Sequence, residues 1–68
     1  MNDETFNLSV RKFLKQFGIA AQREIEKAVA AGLAGGGLKG NESLHATATI
    51  RVEDLHLEAT IEGSIVLE

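Results

Sequence analysis

The sequence predicts a small α+β domain in which two N-terminal amphipathic helices, about 3–17 and 20–33, pack on a C-terminal antiparallel β-hairpin, about 44–52 and 55–67. Two periodicities and one break carry this expectation. Apolar residues recur at helical spacing up to Leu33 and alternate strictly from Leu44 onward, and a glycine-rich stretch at 34–43 separates the two patterns.

The first element rests on Phe6, Val10, Phe13, Leu14 and Phe17, which fall on one stripe when residues advance by 100°. Asn2 or Asp3 can cap its N-terminus, and Asp3 and Glu4 set negative charge near the positive end of its dipole. Gly18 follows the last periodic residue and Ile19 is apolar. That order matches a left-handed cap against which Ile19 packs back, so helix 1 is expected to stop there.

A second stripe comprises Ala21, Ile25, Ala28, Val29, Gly32 and Leu33, with Arg23, Glu24, Glu26 and Lys27 directed elsewhere. Only residues 18–20 remain as a connector, which predicts a helical hairpin or a sharp helix–helix corner. Its shared core would join Phe13 and Phe17 to Ile25 and Val29. Gly35, Gly36, Gly37, Gly40 and Asn41 then predict a flexible linker.

In the C-terminal part Leu44, Ala46, Ala48, Ile50 and Val52 alternate with His45, Thr47, Thr49 and Arg51. A second alternating run begins at Leu55, with Leu57, Ala59, Ile61, Gly63, Ile65 and Leu67 on its apolar side. Either a two-residue or a four-residue turn leaves both apolar sets on one face, so parity supports a hairpin without deciding its register. Glu53–Asp54 is poor chemistry for a tight glycine turn. The longer loop is therefore favoured, with Arg51 opposite Glu58 and Thr49 opposite Thr60.

A chain of 68 residues allows one hydrophobic core and no second domain. It has no cysteine, which excludes disulfides and thiolate chemistry and suits a reducing, cytoplasmic setting. Neither a signal-type leader nor a run of about 20 apolar residues is present, so a soluble protein without a membrane span is expected. Residues 1–41 hold six Lys or Arg against four Asp or Glu, whereas 42–68 hold one Arg against six acids. The basic excess of the helical half is small beside that of nucleic-acid binders, which draw affinity from phosphate neutralisation.

Three blocks, TFNLSVRKFLKQFGI at 5–19, QREIEKAV at 22–29 and LKGNESL at 38–44, together resemble a family of short bacterial proteins of unknown function. The resemblance covers most of the chain and implies a compact protein of this length, with no catalytic residue, ligand or partner. Where that family carries Thr and Ser before the second block, this chain has Ala20 and Ala21, which would deprive helix 2 of an N-cap.

The chemistry-bearing groups are few. His45 and His56 are the only histidines and are expected on the polar face of the hairpin near Glu58 and Glu62, an open surface unsuited to acid–base or metal chemistry. Glu53, Asp54, Glu58, Glu62 and Glu68 read as a solubilising, edge-protecting set. The glycines of the linker run from helix to strand, the reverse of a phosphate-binding loop. Neither an enzyme, a cofactor nor a metal is expected. Leu8, Arg11, Lys12 and Lys15 form a basic, partly apolar outer face of helix 1 and are the candidate interaction surface. A helix corner followed by a hairpin is similar to winged DNA-binding modules. However, Glu24 and Glu26 offset Arg23 and Lys27, and the would-be wing is acidic.

These features predict a non-enzymatic interaction or accessory protein, either self-associating as a homodimer or bound to a protein partner. The alternative is a nucleic-acid-binding module built on the basic helical half. An unaccompanied two-stranded hairpin is marginal and leaves both edges unpaired, which favours association.

Overall fold

A computed structural model describes all residues 1–68. The elements are α1 (Asp3–Ala34), β1 (Ser43–Val52), a 3-10 turn (Glu53–Leu55) and β2 (Leu57–Val66), giving an α+β chain. It divides into two units, Met1–Gly37 and Leu38–Glu68.

The first unit corrects the expectation of two helices. α1 is one helix of 32 residues, running through Gly18 without interruption. At 1.5 Å per residue Phe13 and Ile25 stand roughly 18 Å apart along a single axis, so the expected core between two helices does not form. The physical reason lies in the phase of the stripe. Phe17 is followed by Ala21, Ile25, Ala28 and Gly32 at steps of four, four, three and four, and these continue the spacing that precedes Gly18. Proline is absent, and the alanines that follow are strong helix formers. One interior glycine costs about 1 kcal/mol, less than renucleating a second helix. Continuity also supplies the amides near Ala21 with ordinary intrahelical acceptors, so no cap is missing there.

Both ends of α1 are closed by specific contacts. Asn2 is the N-cap, its side-chain oxygen accepting from the Thr5 amide at 3.0 Å, and Asp3 and Glu4 occupy the first turn. At the other end Gly36 donates to the Leu33 carbonyl (3.3 Å) and Gly37 to the Gly32 carbonyl (2.9 Å). Gly36 has φ +80°, the left-handed conformation that this paired closure requires, and a glycine adopts it without a Cβ penalty. The glycine run is thus first a helix stop.

The second unit begins in the expected linker, whose bounds shift because α1 reaches Ala34 and β1 starts at Ser43. Its last residues are tied rather than free. The Glu42 carboxylate accepts from the Lys39 amide at 2.9 Å and the Gly40 amide at 3.0 Å, while Leu67 donates to the Glu42 carbonyl at 3.0 Å.

β1 and β2 pair antiparallel with Val52 opposite Leu57 and Ser43 opposite Val66. The favoured four-residue connection is present, and Arg51 faces Glu58 as Thr49 faces Thr60. Leu55 belongs to the 3-10 turn, so β2 starts two residues later than the alternation alone suggests. His56 closes the turn at φ 52°, with its amide donating to the Glu53 carbonyl. One face of the hairpin carries Leu44, Ala46, Ala48, Ile50 and Val52 opposite Ile65, Gly63, Ile61, Ala59 and Leu57.

Candidate interaction surface

The helix carries two faces of different chemistry. Along the first, Phe6, Phe17 and Ala28 recur at intervals of eleven, as do Val10, Ala21 and Gly32, and Leu14 with Ile25. Eleven residues in three turns is close to the natural helical pitch, so the stripe stays nearly parallel to the axis over the whole of α1. Bulky groups occupy its N-terminal half and small ones most of its C-terminal half. Phe6, Phe13 and Phe17 remain 53, 55 and 44% exposed. No side chain anywhere in the chain is fully buried.

The second face holds the residues singled out from sequence. Leu8, Arg11, Lys12 and Lys15 lie three to four residues apart on the continuous helix and therefore share a side. Leu8 is exposed, and none of the three basic groups enters an ion pair. Sequence reasoning missed Ile19 as a member of this face because it was assigned to pack back on a helix end. Eleven residues beyond Leu8 on an unbroken helix, it is exposed on the same side.

The hairpin's polar face is a ladder of short contacts. Arg51 donates to Glu58 at 3.0 Å, the Thr49 and Thr60 hydroxyls meet at 3.2 Å, and the His45 Nε2 lies 3.2 Å from a Glu62 carboxylate oxygen. His56 is not on that face. It sits in the connecting turn, so the two histidines do not approach one site. No three histidine or acidic side chains converge in a way that could hold a metal ion.

The protonation equilibrium of Glu42 is displaced by its backbone partners. The Lys39 amide, and then the Gly40 amide, stabilise its carboxylate and hold its pKa below the usual range. Its role is structural, and the signal for it was the Gly40–Asn41–Glu42 sequence, where an acid follows a turn residue. The preceding glycines close a helix C-terminus, whose partial negative charge repels a phosphate.

The chain belongs to a family of unknown function (DUF6494). The family's model covers residues 1–68, the whole chain. No curated protein and no solved structure matches it. Like its other members, this DUF6494 protein draws no activity from the family description. No helix in it is long and apolar enough to cross a membrane.

Proposed function

We propose that this DUF6494 protein is a non-enzymatic interaction protein whose working surface is the apolar stripe of α1. The observation that supports this reading is the exposure of all three phenylalanines in a chain with no fully buried side chain. Covering a half-exposed phenylalanine contributes roughly 1 kcal/mol, so a partner that lies along the stripe gains several such increments at once. An amphipathic helix with anchors spaced three and four residues apart is a common way for one protein to dock on another. The outer face of Leu8, Arg11, Lys12 and Lys15 stays accessible in such a complex and remains a second contact surface.

Mass measurement combined with an apolar fluorescent dye tests the reading. A chain that uses the stripe for association either forms an assembly or, as a monomer, binds the dye, and Phe13→Asp weakens whichever occurs. A monomer that binds no dye overturns the proposal. The same chain at low and high salt with labelled oligonucleotides separates this from nucleic-acid binding, since phosphate contacts of Arg11, Lys12 and Lys15 would give affinity that falls with salt.

A further inference from the structure

We infer that the partner of the α1 stripe is a second copy of this chain, seated antiparallel so that the bulky N-terminal half of each helix lies on the small-residue C-terminal half of the other. This rests on the reading of the stripe as an association surface and names its occupant.

Shape gives the first reason. When two copies run in opposite directions with residue i facing residue 38 − i, four bulky stripe positions meet four others of the same stripe, while Leu14, Val29 and Leu33 lie opposite Glu24, Ser9 and Thr5. Phe6 faces Gly32, Val10 faces Ala28, Phe13 faces Ile25 and Phe17 faces Ala21. Three of these four pairs set a large side chain against a small one, which is how helices approach closely without leaving voids. A parallel pair would set each phenylalanine on its copy and leave a gap between the facing alanines and glycines.

Charge gives the second. Arg11, Lys12 and Lys15 are without ion-pair partners, and a parallel pair would bring them alongside their own copies. Reversal moves each away from its own copy along the axis, by roughly 24 Å for Arg11 and about 12 Å for Lys15, and sets Lys12 level with Glu26, although Arg11 and Lys15 then stand level with Lys27 and Arg23 on the outer faces. It also opposes the two helix dipoles. Area gives the third. The large stripe residues are 38–55% exposed, so complete cover of all of them would bury at most roughly 600 Å² per chain and about 1,200 Å² for two copies, close to the ~1,000 Å² a specific interface needs. An eleven-residue repeat keeps such a pair nearly straight, so contact extends along the full stripe.

The absence of native cysteine makes a direct test available in the full chain. Sedimentation equilibrium of the unmodified protein over 10- to 20-fold in concentration should show twice the 7.3 kDa chain mass. Val10→Cys and Ala28→Cys chains, annealed together and oxidised, should give the mixed disulfide in at least tenfold excess over either homodisulfide. Homodisulfides in each variant alone would show a parallel pair and overturn the orientation. A single-chain mass at every concentration would overturn self-pairing, and dye binding by that monomer would still leave the stripe as a surface for another protein.

Discussion

Replacing Gly18 by alanine separates one continuous helix from two helices joined at a glycine. In the uninterrupted α1 a Cβ built on Gly18 meets nothing within 4 Å, so the added methyl causes no clash and requires no backbone change. The substitution then gains the intrinsic preference of alanine over glycine in a helix interior, about 1 kcal/mol. For a chain of 68 residues that corresponds to an increase of about 6 °C in the midpoint of thermal unfolding, measured by far-ultraviolet circular dichroism at one protein concentration. Were Gly18 instead the left-handed end of a first helix, alanine would be strained there and would lower the midpoint by a similar amount. A lower midpoint would refute the continuous helix, and with it the eleven-residue register on which the stripe depends.

Two further outcomes concern the hairpin unit. The folded pKa of Glu42 lies below its unfolded value, so its stabilisation of the 38–42 turn is present above the usual carboxylate range and is lost as pH falls through the folded pKa. The protection of the Lys39 and Gly40 amides relative to their intrinsic exchange should fall over that acidic window, and Glu42→Gln should remove this change; protection that does not vary with pH in the unmodified chain would contradict the assignment. His56 holds φ 52°, a conformation glycine adopts more readily, so His56→Gly should raise stability by up to about 1 kcal/mol in urea unfolding while His56→Val lowers it. An unchanged midpoint in both variants would place no strain at this turn.

The hairpin was largely legible because alternation is a two-residue signal that any β-structure must satisfy, and because Glu53–Asp54 could not make a tight turn. The longer loop favoured on that ground sets Arg51 opposite Glu58, and the strands pair in that register. The helix was legible in its faces but not in its length. Gly18 carries the same local signature whether it ends a helix or sits inside one, and only the unbroken phase from Phe17 to Ala21 and Ile25 distinguishes the two. Giving the glycine priority over that phase cost the continuous helix and the role of Ile19. Leu8, Arg11, Lys12 and Lys15 share a side of one helix or of two alike, because all four precede Gly18. Glu42 was missed for a different reason: its effect comes from two backbone amides, and their only trace in the sequence is an acid directly after the turn residues Gly40 and Asn41.

Dipolar distance measurement between spin labels bears most directly on how this surface is used. Single labels at Ser9 and Gln16 both lie on α1 away from the stripe's centre. In the antiparallel pair, residue 9 of each copy is offset from its counterpart by 20 helical positions, roughly 30 Å along the axis, and residue 16 by six, roughly 9 Å. With similar lateral separation, the Ser9 distance should exceed the Gln16 distance by about 10–20 Å. Equal distances at the two sites would indicate a parallel pair, and no measurable coupling at either would mean that the stripe does not seat on a second copy; each result would contradict the antiparallel dimer.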